Sequence, residues 1–364
     1  MDSCATHAGT GAYFEKVPVS PSKIRNFDGL FVSALGAGTY LGPADDAADG
    51  QYLKSLVHAG LGGVNFFDTA IHYRGQRSER VLGVALKELE ANGLLRSMFV
   101  VGTKGGYFPH AGSPESLDEY IRTRFLDPGI IAADEIAGGA HCMSPRFLEN
   151  QIETSLKNLQ LECIDQYYLH NPEVELAEVG EEIFYKRLGS AFELFEKMVE
   201  KKKIARYGLA TWNGFRLKKG GLQLTKAIQC ARNAGGESHH FKAIQVPFNL
   251  IMLEAIKIKN QLFGKEKKSI SEAAFENGIT LMASSPLMQG QVGMLCSKVF
   301  DSLPKETSRM TQSLQFVLSA PRICSTFTGM KELAHWEENQ KTLQKTSWSL
   351  VDWNEACLKL GIEK

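Results

Sequence analysis

The chain has no excess of charge of either sign, no apolar run long enough to cross a membrane and no paired-cysteine motif. Each absence excludes a class of function. Lys plus Arg and Asp plus Glu number 41 each, so a broad basic face for nucleic acid or anionic membrane is not expected, and any anion site has to be local. The run Lys201-Lys202-Lys203 closes a predicted helix, where cations suit the dipole, and reads as a solvated helix end. Cysteines stand at 4, 142, 163, 230, 296, 324 and 357. Their odd number and the lack of C-x-x-C predict neither a disulfide frame nor a zinc site, and suit a reducing compartment. The first twenty residues carry Asp2 and Glu15 and no apolar core, which argues against a secretory or transit segment and for a cytoplasmic protein. Low-complexity segments, internal repeats and signs of a second domain are also missing.

What is present fits one large globular domain: 364 residues, 43% hydrophobic and 23% charged. Short apolar strands alternate with amphipathic helices. Strands are predicted at Phe31–Leu35, Val64–Phe67, Met98–Thr103, Ile164–Leu169, Ala205–Ala210, Ala243–Val246, Thr280–Ala283 and Cys324–Thr328. Eight strand–helix units predict a parallel sheet closed into a (β/α)8 TIM barrel over residues 27–345, with a polar surface arm at 1–26 and a tail at 346–364. Gly36-Ala37-Gly38-Thr39 reads as a tight turn beside a ligand; it lacks the third glycine and the immediate helix of a dinucleotide fingerprint. Two segments, Gly105–Met143 and Asn171–Arg187, are predicted as long loops at the mouth, the first with a short helix near Leu117–Arg124. Tyr107, Phe108, His110 and His141 are pocket-wall candidates; His141-Cys142 has no matching ligand pair for a metal.

The reading turns on Asn65-Phe66-Phe67-Asp68-Thr69-Ala70-Ile71-His72-Tyr73, an apolar strand that ends on an acid and a phenol. Asp68, Tyr73, Lys104 and His170 stand at or just past the ends of strands two, three and four, which a barrel brings to one rim. Singly, each has an ordinary explanation: a turn or cap Asp, a core or rim Tyr, a solvated Lys, a turn-shaping His before Asn171-Pro172. Jointly they suit carbonyl chemistry. A Lys ammonium beside the phenol is expected to lower its pKa, a carboxylate to hold that ammonium, and an imidazole to orient a substrate oxygen. None is a hydride source, so a cofactor is implied.

These motifs resemble the aldo-keto reductase superfamily. Phe66-Phe67-Asp68-Thr69-Ala70 with Tyr73, Gly102-Thr103-Lys104, Leu169-His170-Asn171-Pro172, Ile204 to Leu209, Ile244-Gln245-Val246 with Asn249, Ser285-Pro286-Leu287, and Gly329-Met330-Lys331 through Glu338-Asn339 occur in the family's order, from roughly Leu35 to Asn339. The resemblance implies a single (β/α)8 barrel that binds NADP(H), with Asp68, Tyr73, Lys104 and His170 as its tetrad. It implies cofactor contacts at Gly38, Thr39, Asp68, Thr211, Gln245, Ser284, Pro286, Leu287, Gly329, Lys331, His335, Glu338 and Asn339, and no metal. Lys331, placed in the first turn of the last helix, matches a position that meets the 2′-phosphate. Two positions depart from the pattern. Ala210-Thr211 replaces Ser-Asn after strand five, and Ser284 replaces an aromatic that stacks on the nicotinamide; Trp212 or a loop aromatic is the candidate replacement.

The expected function is reduction of an aldehyde or ketone, or oxidation of the alcohol, by a monomer or small homo-oligomer with a small-molecule substrate. Nucleic acid and membrane partners are not expected. The alternative is a low-turnover, cofactor-binding regulatory or scaffold subunit of the same fold, kept open by Ala210 and Ser284. A lyase or isomerase barrel would need a metal or phosphate motif that the sequence does not show.

Overall fold

In the computed structural model, which describes residues 3–361 apart from Ser113, Cys296 and Met330, eight parallel strands close into a barrel. They are Leu35–Gly38, Phe66–Asp68, Val100–Gly105, Gln166–His170, Tyr207–Ala210, Phe241–Pro247, Thr280–Ser284 and Ile323–Gly329, called strands one to eight below. The predicted (β/α)8 architecture is the one the chain adopts. Helices cover it where the apolar stripes predict. Arg77–Ala91 buries Val81, Leu82, Ala85 and Leu89. Pro145–Leu159 starts with proline at its first position and buries Phe147, Leu148, Gln151, Ile152, Ser155, Leu156 and Leu159.

Strand one differs from the prediction. Phe31 lies in a hairpin, Ile24–Phe27 against Leu30–Ser33, and the barrel strand is the glycine-containing Leu35–Gly38 that had read as a turn. Glycine is needed here for room: a Cβ on Gly36 would sit 2.5 Å from the Phe327 ring and 3.0 Å from the Phe66 carbonyl oxygen. The hairpin closes the lower end of the barrel, where Phe27, Leu30 and Val32 pack with Phe66, Val100, Tyr168 and Phe327. A short apolar run looks the same in a plug as in a barrel strand, so periodicity does not separate them.

Residues 1–26, read as a polar arm, include the helix His7–Lys16, whose Tyr13 is fully buried and donates a hydrogen bond to the Gly60 carbonyl oxygen at 2.8 Å. Cys4 and Cys163 are joined by a disulfide across 159 residues, which overturns the expectation of no disulfide. Nothing in the local spacing signals that pair; only the fold brings the two Cα atoms to 5.5 Å. The cysteine pattern therefore no longer argues for a reducing compartment. At the other end Leu350–Lys359 is a helix whose Trp353 ring stacks 5.6 Å from Phe316. No helix among the described residues is long and apolar enough to cross a membrane.

The two predicted mouth loops are more ordered than expected. Glu173–Glu200 is helical with a break at Gly180 (φ 77°), so most of the second loop is helix. The first, from Gly106 to Met143, folds back on itself as a flap. Phe108 N–H bonds the Ala140 carbonyl at 3.2 Å and Cys142 N–H bonds the Gly106 carbonyl at 2.8 Å. Phe108, Ile121, Phe125, Ile131 and Cys142 of the flap form an apolar cluster with Phe147 of the helix that follows.

Candidate active site

Alternation along the strands builds the mouth. Phe66, Val100, Tyr168, Ala243 and Met282 fill the barrel interior, whereas Phe67, Val101, Leu169, Ile244 and Ala283 pack outward against the helices. Two residues beyond Phe66, Tyr168, Ala243 and Met282, and four beyond Val100, the inward parity returns at Asp68, His170, Gln245, Ser284 and Lys104. Strand pairing brings them to one level: Asp68 pairs with Gly102, Lys104 with Tyr168, His170 with Ala210, and Ala210 with Gln245. Tyr73 joins from the loop after strand two, where its N–H bonds the Ala70 carbonyl at 3.0 Å.

The four candidate tetrad residues meet. Lys104 Nζ donates to Asp68 Oδ2 at 2.5 Å and to the Thr69 carbonyl at 2.8 Å, and lies 3.5 Å from the Tyr73 hydroxyl. Gln245 Nε2 donates to the other Asp68 oxygen at 2.9 Å. The His170 ring lies 5.9 Å from the Tyr73 ring. Burial pushes the Asp68 carboxyl up and the Lys104 ammonium down, and their contact opposes both shifts.

The Tyr73 phenol departs from expectation. Burial first, then the Asp68 carboxylate, holds its pKa well above the ordinary value of 10.0. Lys104 does not reverse this, because its closest bonds go to Asp68 and Thr69. Tyr73 is therefore held as the protonated phenol. His170 is held neutral: burial first, then the neighbouring His72, Lys104 and His141, lower its pKa well below 6.5. Its buried Nδ1 has no hydrogen-bond partner among the described residues.

Sequence reasoning assigned no role to His72, although it adjoins Tyr73. Its ring lies 4.9 Å from His170, 4.8 Å from Tyr73 and 5.1 Å from Tyr107, and burial lowers its pKa to about 3. Glu173 was also missed. Its Oε1 accepts three backbone N–H groups after strand five, from Trp212 at 2.9 Å, Asn213 at 2.8 Å and Gly214 at 3.1 Å, and so fixes the loop that holds Trp212. Those partners lie some forty residues away, so no local signal marks the bond. Of the four pocket-wall candidates, Tyr107 faces His170 at 5.5 Å. Phe108 is buried in the flap cluster, His110 bonds the Glu115 carbonyl at 2.7 Å, and His141 is fully buried.

The expected cofactor positions follow the rim from strand five round to strand one. Gly38 pairs in register with Asp68 and Gly329. Thr39 is buried and its Oγ1 donates to Thr69 Oγ1 at 2.8 Å. Thr211 is also buried, with an Oγ1 that has no partner among the described residues. Ser284 and Leu287 are partly exposed and Pro286 is buried, while Ser285 takes a positive φ of 52° and its carbonyl accepts from Asn249 Nδ2 at 2.8 Å. The last helix, Leu333–Gln340, starts later than predicted, so Lys331 precedes the N-cap Glu332 and is not in the first turn. A Cβ on Gly42 would lie 3.4 Å from Lys331 Cδ, so the lysine stem lies over the loop after strand one. His335 is exposed, Glu338 accepts from Ser308 Oγ at 2.6 Å, and Asn339 is buried. Met330 lies outside the described residues.

The family model described as the aldo/keto reductase family matches residues 34–350, so the chain belongs to that family. Among curated relatives, L-galactose dehydrogenase of Arabidopsis thaliana is 29% identical over 40% of this chain and 36% of its own length. A Schizosaccharomyces pombe protein with the provisional name voltage-gated potassium channel subunit beta is 25% identical over 54% of this chain and 47% of its own. The chain thus matches less than half the length of either relative. Among solved structures, the holo form of an aldo-keto reductase from Bacillus halodurans superposes with a TM-score of 0.65 at 17% identity, covering 93% of this chain and 96% of the other. A Klebsiella pneumoniae aldo/keto reductase in complex with NADP and acetate gives 0.62 at 18% identity, with 94% and 96% covered.

Proposed function

We propose that the protein is an NADP(H)-dependent oxidoreductase that reduces an aldehyde or ketone, or oxidises the corresponding alcohol, with Tyr73 as the general acid in reduction. The observation that carries this reading is the contact set at the mouth: an ammonium bonded to Asp68, 3.5 Å from the Tyr73 hydroxyl, with His170 on the same rim. The cofactor positions fit a dinucleotide. Thr211 offers a buried hydroxyl without a partner, Gly38 and Gly329 expose backbone without a side chain, and Lys331 offers a cation to a 2′-phosphate. When bound, the reduced nicotinamide supplies the hydride.

The protein's own residues supply the rest. The neutral imidazole of His170 donates its N–H to the carbonyl oxygen and orients it. As charge builds on that oxygen, the Tyr73 hydroxyl hands over its proton, and the phenolate so formed faces Lys104 Nζ. Asp68, itself held by Gln245, and the Thr69 carbonyl hold that ammonium in place, so its charge is in position before the reaction rather than brought there during it. In oxidation the same phenolate takes the alcohol proton.

A second reading, a cofactor-binding regulatory subunit, is favoured by Ser284, which puts no ring where the family has one, and by the name of the fission-yeast relative. Titration of the protein with NADPH and NADH, followed by a panel of aldehydes and ketones, separates the two. Binding with turnover supports the enzyme. Tight NADPH binding without turnover of any carbonyl would replace it with the regulatory subunit, and failure to bind either nucleotide would remove both.

A further inference from the structure

We propose that His141 is a positioning residue for His170: held as an imidazolium on Glu175, it bonds the His170 main-chain carbonyl and ties the flap to the end of strand four. Its consequence for catalysis rests on the oxidoreductase reading above.

Both ring nitrogens of His141 face acceptors. Nδ1 lies 3.0 Å from Glu175 Oε1, and Nε2 lies 2.8 Å from the His170 carbonyl oxygen. A carbonyl oxygen only accepts, so Nε2 carries hydrogen. Rotating the ring by half a turn would point carbon at both oxygens and lose both bonds. The remaining choice is whether the second proton sits on Nδ1 or on Glu175. Arg187 Nη1 donates to Glu175 Oε2 at 2.9 Å, and this cation favours the carboxylate. The proton then belongs to Nδ1, and the ring is charged.

The surroundings are built for this ring. His141 and Glu175 are fully buried, and a buried ion pair persists only with its hydrogen bonds satisfied. Gly106 approaches so closely that a Cβ there would lie 2.6 Å from His141 Nε2, and its φ of +129° is one that glycine tolerates. The Tyr107 ring meets His141 edge-on at 5.1 Å. Arg187 also bonds the Asp134 carbonyl at 3.0 Å, so the chain Arg187–Glu175–His141 grips the flap at two points. The charged groups joined to the ring are Glu175 and, through it, Arg187, both from the helix after strand four; the titratable Tyr107 lies against its edge, and the His141 charge also reaches His72 and His170. The positive ring also helps to keep His72 and His170 neutral.

The test uses full-length protein labelled with ¹⁵N-histidine, with His141→Gln for assignment. At neutral pH both His141 ring nitrogens should be protonated; a bare Nδ1 or Nε2 would overturn the charged state without reference to any activity. Amide exchange at Cys142 should rise about tenfold in His141→Gln if the ring ties down the flap, and unchanged exchange would overturn the tether. With a verified substrate, His141→Gln should lower kcat/KM by up to about 10²-fold, the scale for misplacing a group by about an ångström. Nucleotide affinity should be unchanged. The double variant His141→Gln/Glu175→Gln, a neutral amide pair, should recover part of the loss. A folded His141→Gln protein with parental kcat/KM would overturn the positioning role. Should that variant fail to fold, Glu175→Gln serves instead, with His141 then expected to carry one ring proton.

Discussion

The two halves of the barrel mouth are finished to different degrees. On the side of strands two to four, the protein itself bonds the charged pair and its surroundings: Lys104 to Asp68 and Thr69, Asp68 to Gln245, and the His170 main chain to His141, while His170 Nδ1 has no partner among the described residues. On the side of strands five to eight the Thr211 hydroxyl has no partner among the described residues, Ser284 offers no ring, and His335 is exposed. A site prepared to stabilise charge has its dipoles oriented before the substrate arrives. A surface meant for a removable ligand leaves donors and acceptors for that ligand to satisfy. The contrast fits the proposed division, with chemistry in the first half and nucleotide binding in the second.

The largest expected effect breaks the first half alone. Tyr73→Phe should reduce turnover of a carbonyl by about 10²–10⁴-fold, the scale of general acid catalysis, while nucleotide affinity stays as it was. Steady-state kinetics beside a binding titration checks both, and parental turnover would move the proton donor elsewhere. Lys104→Met attacks the same half through stability. Removing one partner of a buried ion pair costs about 3–5 kcal/mol, and adding Asp68→Asn should restore much of it; chemical denaturation of the single and double variants reads the difference.

The second half should respond in affinity rather than in rate. Lys331→Glu should weaken NADPH by about ten- to a hundredfold, the scale of a charge-assisted hydrogen bond, and NADH much less. Equal loss for both nucleotides would place Lys331 away from the 2′-phosphate.

A pH measurement returns to the first half. The His72 pKa is about 3 in the folded chain, below the ordinary 6.5, so between those values the unfolded chain binds the extra proton. Stability is thus intact above pH 6.5 and falls as the pH drops toward 3, by at most about 1.4 kcal/mol per unit for this one group. His72→Asn should flatten that acid slope in denaturation midpoints measured from pH 7 to 5. The smallest effect is a gain. Ser284→Phe should tighten nucleotide binding by no more than about tenfold, since an aromatic contact contributes about 0.5–1.5 kcal/mol; no gain would mean that no ring can stack from this position.

Much of this was legible in the chain. Alternating strands and amphipathic helices specify the barrel, and the strand ends mark Asp68, Lys104 and His170 because side chains two apart share a face. The plug hairpin was not legible, because Phe31-Val32-Ser33 has the same apolar look as a barrel strand. The start of the last helix was misplaced by two residues, which took Lys331 out of the first turn. His141 read as a rim residue because its partners, Glu175 and the His170 carbonyl, are 34 and 29 positions away.

By itself, then, the sequence determined the periodicities: which residues face the barrel, which face the helices, and which polar groups emerge together at the strand ends. The tertiary structure alone decided the Cys4–Cys163 bond, the flap's grip on His141 and the direction in which the Tyr73 phenol shifts. The physical reason is range. Facing is a local property of a regular backbone and can be read residue by residue. Desolvation and long-range pairing depend on what distant segments place around a group, and adjacent residues do not carry that information.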